Sequence, residues 1–226
     1  MRRSVPWWAL FSSVCAPILL VGGWAISAVL HGRDYDPASR TISTLAARGA
    51  DGYWVMTSAL VALGVCHVIT ACGLRSAASP GRLALAGGGV SAMMLVLFPA
   101  PSSGGSLDHG AVVAVGFSLL AVWPILAVRR APGQRRASER RPAGTPPDRS
   151  APWGLRPGPS FMATVLMWIG GVWFLMALFA HDTAGAAERV LTFAQSFWPL
   201  VVVLSCVRQT DRDEEQGGGN AGVLRR

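Results

Sequence analysis

The chemistry open to this chain rests on four histidines and the few carboxylates and hydroxyls near them. His31, His109 and His181 stand at the ends of long apolar runs. Asp108 and Asp182 are their chain neighbours, and Asp34, Asp36 and Glu188 lie nearby in sequence. Imidazole and carboxylate are ordinary zinc ligands, and zinc so held activates a water for hydrolysis. Ser43, Asp108, His109, His31, His181 and Asp182 therefore form one candidate site, expected on a single side of a membrane. No HExxH spacing supports a metal there, and residues at a membrane interface are polar for reasons of solvation alone.

His67 is different, because it lies well inside an apolar run. Thr70 is nearly one helical turn further on and shares its face. Gln195 and Ser196 lie inside another such run. Lipid makes polar groups costly, so those retained there have a use or a partner. His67, Thr70, Gln195 and Ser196 form a second candidate site, able to bind a ligand or relay protons. The competing expectation is that His67 hydrogen-bonds a carbonyl or Gln195 on a neighbouring helix and only fixes packing.

No cofactor is expected. The chain has no nucleotide-binding loop, nucleophile elbow or paired catalytic carboxylates. Haem would need two histidines at similar depth, whereas His67 is deep and His109 is at an edge. Cys15, Cys66, Cys72 and Cys206 all fall in apolar runs without CxxC spacing, as small buried thiols do.

The elements that must position these groups are membrane spans. The 226 residues are 51% hydrophobic and 14% charged, well below the charge of soluble domains. Uncharged or nearly uncharged runs cover residues 7–30, 53–74, 83–100, 110–128, 161–180 and 190–207. Each has 18 or more residues, enough at about 1.5 Å per residue to approach the ~30 Å hydrocarbon core. The fold expected is an all-α, six-transmembrane-helix bundle forming a single membrane domain over residues 1–208. Between the first two spans, Asp36-Pro37 reads as a helix start, Ile42, Leu45 and Ala46 recur at helical spacing, and Gly49 closes the segment. That predicts a short amphipathic helix lying at the outer surface. Gly87, Gly88 and Gly89 predict close approach of a neighbouring helix.

Residues 129–158 carry eight arginines against Glu139 and Asp148, with scattered Pro and Gly, and are expected to be a disordered cytoplasmic loop. The tail 209–226 is expected to be a disordered cytoplasmic segment as well. All 20 basic residues are arginines. With six spans, only Arg33, Arg40, Arg48 and Arg189 fall on one side and the other sixteen on the opposite side. The positive-inside rule then places both termini and the long loop in the cytoplasm, in a plasma membrane. The positive charge sits in loops and not along one face, which argues against nucleic acid as a partner. The expected partners are the lipid bilayer and, for the Arg129–Arg156 loop, anionic lipid headgroups.

With these residues laid out, the chain resembles family 998 of the domains of unknown function, a group of six-span membrane proteins. The likeness runs from about Trp7 to Val207. It rests on Asp36-Pro37 with the stretch Thr41 to Ala47, on Trp54-Val55-Met56-Thr57, Gly64-Val65-Cys66-His67 and Gly73-Leu74-Arg75, and on the Pro99 to His109 turn. Glu188-Arg189 and Gln195 with Trp198-Pro199 complete it. Many members of that family carry an acidic residue after the Ser of the first motif, where this chain has Thr44, a departure that counts against catalysis built on an acid there. The resemblance implies six spans and no assigned activity. The chain is similar at the level of fold to the DRAM-like autophagy modulators, whose first outer loop also carries Ile-Ser.

Three functions follow from the residues. The first is a multi-pass membrane protein binding a lipid or small apolar ligand within its bundle. The second is a membrane-embedded metal-dependent hydrolase built on the outer His and Asp residues. The third is a proton-coupled transporter using His67.

Overall fold

The computed structural model describes residues 5–33, 35–101, 105–129, 151–180 and 182–223, with side chains through Arg212. Asp34, His181 and most of the Arg-rich loop lie outside the described residues. What is described is all α-helical: α1 (Trp7–His31), α2 (Ile42–Leu45), α3 (Tyr53–Gly73), α4 (Ser79–Met94), α5 (Leu107–Leu126), α6 (Pro157–Ala180) and α7 (Ala184–Val223). One 3-10 turn, Trp153–Leu155, precedes α6.

Apolar composition all round, rather than one apolar stripe, is what makes these helices long and buries them only in part. Five of them (α1, α3, α5, α6 and the Ala184–Arg212 part of α7) are long and apolar enough to cross a membrane. Large apolar side chains such as Ile18, Trp54, Leu166 and Phe179 remain exposed along them. In water such a surface would drive association; in hydrocarbon it is the ordinary exterior.

The packing is a closed ring. α1 packs on α3, α3 on α4, α4 on α5, α5 on α6, α6 on α7, and α7 returns to α1. The seam between α5 and α6 leaves open space along it. Glycine sets the close seams. A Cβ on Gly89 would run into the backbone of Gly64 and the Cβ of His67, so α3 and α4 meet backbone to backbone. Gly88 leaves room for the side chain of Leu120 of α5, a close approach that the glycine run predicts.

α4 departs from expectation. It begins at Ser79 and ends at Met94, against the expected 83–100. Pro80 fits its first turn, where a missing N–H costs nothing. Beyond Met94 the chain leaves the helix in tight turns ahead of Pro99 and Pro101, which disfavour α geometry in the residue before them. Its 16 residues reach roughly 24 Å, short of the hydrocarbon thickness.

Two segments expected to be disordered are described in part. Of the segment expected to be a disordered loop over residues 129–158, residues 151–158 are described and include the 3-10 turn Trp153–Leu155. Gly154 and Leu155 are buried against α7, with Gly154 N–H donating to Ser205 Oγ at 3.0 Å. Here a Trp-Gly-Leu sequence has apolar surface to bury, unlike the arginines before it. Helix α7 also runs past Val207 into the segment 209–226 expected to be a tail.

Guanidinium groups close the bundle at this end. Arg82 donates to the carbonyls of Ala71 at 2.7 Å and Cys72 at 3.1 Å, at the end of α3. Arg129 donates to Arg75 O at 2.7 Å. Helix C-termini leave carbonyls unpaired and carry partial negative charge, so cations belong there.

Candidate functional site

The opposite end of the ring is closed by the segment between α1 and α3. Asp36 caps a turn: its Oδ1 accepts Ala38 N–H at 3.0 Å and its Oδ2 accepts the Ser39 hydroxyl at 2.6 Å. These two donors, Ser39 first, hold the Asp36 carboxyl below the usual aspartate range. Gly49, at φ +89°, turns the chain toward α3 in the left-handed region that glycine tolerates.

Between them lies α2, and it does not rest on a surface as an amphipathic helix would. Ile42 and Leu45 are buried in a cluster with Leu20 of α1 and Met56 and Leu63 of α3. Its four residues dock into the mouth of the ring, because the start of α7 offers them polar partners as well. The buried Glu188 accepts the backbone N–H of Ile42 on Oε2 and the Ser43 hydroxyl, at 3.1 Å, on Oε1. Ala186 N–H donates to Ala38 O at 2.9 Å.

Arg189 secures the other half of the same segment. Its Nη1 lies 2.7 Å from Pro37 O, 3.0 Å from Arg40 O and 2.9 Å from Gly185 O. Its Nη2 donates to the Tyr35 hydroxyl. The guanidinium also lies 5.7 Å from the ring centroids of Trp24 and of Tyr35, within cation–π range. Burial pushes the Tyr35 phenol above its ordinary pKa, against the opposing pull of Arg189. Gly185 has no side chain because the carbonyls of Arg40 and Pro37 occupy that space.

Behind α2 the ring encloses a cavity of about 60 Å³. Ser43, Glu188, His67, Gln195, Ser196 and Thr192 are the principal polar residues around it, among apolar ones such as Leu63 and Leu120. Gln195 Nε2 donates to Phe117 O at 3.1 Å, while Gln195 Oε1 has no partner. His67 is buried, and neither ring nitrogen has one. The expectation that His67 pairs with a carbonyl or with Gln195 is therefore not met. Gly89 brings the α4 backbone up to the His67 Cβ, so the side chain is placed by a glycine contact and not by a hydrogen bond.

The second space is larger. A groove of about 550 Å³ follows the loose seam between α5 and α6. Val113 and Phe117 of α5 face Trp168, Val172 and Leu175 of α6 across it. Thr41, Ser43, Thr44, Ser106 and His109 also line it. Ser43, Val113, Phe117 and Gln195 line both spaces, so the groove and the inner cavity adjoin.

Of the residues expected inside the bundle, His67, Gln195 and Ser196 share the inner cavity. Thr70 does not. Its hydroxyl pairs with that of Ser12 on α1 at 2.8 Å, because one turn of α3 carries it round to the α1 seam. The residues expected at the rim disperse. Ser43 and His109 line the groove together, and His109 Nδ1 donates to Phe98 O at 2.8 Å. His31 packs edge-on to Tyr35 with its Nε2 3.4 Å from Arg40 Nη1. Asp108 and Asp182 are exposed, and His181 lies outside the described residues. Among the described residues, no group of three or more His, Cys, Asp or Glu is placed to hold a metal ion. Arg189 and Tyr35 are the residues that sequence reasoning left out, and Glu188 was placed beside the outer histidines but outside the six candidate residues. The adjacent Glu-Arg pair opening an apolar span was the available signal.

Comparison with curated proteins gives no match, and comparison with solved structures gives none. The model of the family described as "Protein of unknown function (DUF998)" matches residues 14–205, and the chain belongs to that family.

Proposed function

We propose that this protein crosses the plasma membrane six times, with both termini cytoplasmic, and binds a lipid or other small apolar ligand between α5 and α6. The groove of about 550 Å³ carries this reading. Its volume is that of a small-molecule site, apolar over most of its length with a few polar groups gathered on it. A loose seam facing hydrocarbon lets a chain enter sideways from the bilayer. α4 is the sixth span, and the turns that follow it make up the missing length. Sixteen of 20 arginines then lie on the cytoplasmic side, where the Arg129–Arg156 loop meets anionic headgroups.

The test is identification of lipid retained by the purified protein, by mass spectrometry after delipidating washes, in wild type and Gly171→Trp. Gly171 lines the groove, and a side chain there meets no other atom at its base. The tryptophan should fill the groove and abolish retention. Equal retention by both proteins would sink the reading. For the orientation, a tag after Arg226 should be unreachable from outside intact cells.

A second reading, proton-coupled transport, is favoured by one observation: His67 is buried with both ring nitrogens unpartnered. Unchanged proton flux in a His67→Ala variant would remove it.

A further inference from the structure

Resting on the groove reading, we propose that the ligand is a long-chain amphiphile with an uncharged hydroxyl head. Its chain lies between α5 and α6, and its hydroxyl enters the inner cavity beside His67 and Gln195. Buried polar atoms without partners are costly, and their hydrogen-bonding needs describe what is missing. Neutral imidazole offers one donor and one acceptor, and Gln195 Oε1 offers an acceptor. A hydroxyl, at once donor and acceptor, can give its proton to Gln195 Oε1 and accept one from His67.

The same surroundings reject an anion. Neither space is lined by any Arg, and the chain has no Lys. Glu188, whose carboxylate oxygens already serve as acceptors, also lines the cavity. A phosphate there would face the Glu188 oxygens, and the neighbouring Arg189 lines neither space and is already engaged by the Pro37, Arg40 and Gly185 carbonyls and the Tyr35 hydroxyl. A plain hydrocarbon would leave three buried polar atoms unpaired, where the hydroxyl leaves one imidazole nitrogen. The cavity of about 60 Å³ is several times the ~10–15 Å³ that one water needs, so the end of a chain carrying a hydroxyl has room. Ser43 and Gln195, common to both spaces, stand where the two adjoin.

The experiment uses the full chain in lipid nanodiscs and three photoreactive probes with the same diazirine-bearing chain: an alcohol, its phosphate monoester and the headless hydrocarbon. The alcohol should label α5 and α6 peptides at least ten-fold more than either other probe. His67→Phe and Gln195→Met should each bring alcohol labelling down to the hydrocarbon level. Phosphate labelling equal to or above that of the alcohol would overturn the hydroxyl assignment and leave the groove reading standing. So would hydrocarbon labelling equal to the alcohol's, with water then satisfying His67 and Gln195. If no probe labels α5 or α6 above the other helices, the groove reading falls too. The three-probe comparison on the wild type stands even if a variant fails to fold.

Discussion

The hydroxyl of Ser43 donates to Glu188 Oε1 at 3.1 Å, joining two residues 145 positions apart. With the Ile42 N–H on the other oxygen, this contact fastens α2 across the mouth of the ring. It places one hydroxyl on the boundary between the inner cavity and the α5–α6 groove. A carboxylate there has a structural task, and the proposed ligand must pass beside it.

Replacing Glu188 by Leu leaves the Ile42 N–H and the Ser43 hydroxyl buried without an acceptor. At about 1–3 kcal/mol for each orphaned group, the loss should show as a clear drop in thermal midpoint in detergent. Glu188→Gln keeps one acceptor oxygen and should lie between the two. Equal midpoints for all three proteins would mean that the carboxylate does not hold α2.

Arg189 acts through a planar fork that meets several carbonyls and the Tyr35 hydroxyl together, a geometry lysine lacks. Arg189→Lys should therefore speed hydrogen exchange at Ala38 and Arg40 several-fold and leave α3 and α4 amides unchanged. Exchange unaltered in the 35–41 segment would assign its order to other contacts.

Gly89→Val places branched carbons where the Gly64 backbone and the His67 Cβ already stand. Overpacking of this kind costs about 1–3 kcal/mol. The variant should lose stability and should also move His67, which Gly171→Ala should not do. A Gly89→Val protein as stable as wild type would show that α3 and α4 do not pack through these glycines.

Asp36 supplies a pH-dependent contact at this end. Its carboxylate is favoured in the folded chain by the Ser39 hydroxyl and the Ala38 N–H, so the capped turn is complete above the ordinary aspartate pKa. It is lost as pH falls through the lowered folded value. The Ala38 amide resonance should titrate with a midpoint below that of an unstructured aspartate, and Asp36→Asn should abolish the titration. A midpoint at or above the ordinary value would contradict the cap.

The sequence by itself determined what depends on solvent and on near neighbours. Hydrocarbon-length apolar runs specify helices, because inside a bilayer only internal pairing satisfies the backbone. Gly49 and the glycine run announced a left-handed residue and a close seam through local chemistry alone, whereas Asp36, which reads as a helix start, caps a turn ahead of α2, whose N-cap is Thr41. The tertiary structure decided which polar groups meet. Thr70 shares an approximate helical face with His67, yet it pairs with Ser12 because the α1 seam cuts between them. Glu188 reads as one more interfacial acid until closure of the ring brings α2 to it. Helical periodicity gives the direction of a side chain only relative to its own helix. Where six helices stand around a ring, and so what each polar group faces, is set by packing between segments far apart in the chain.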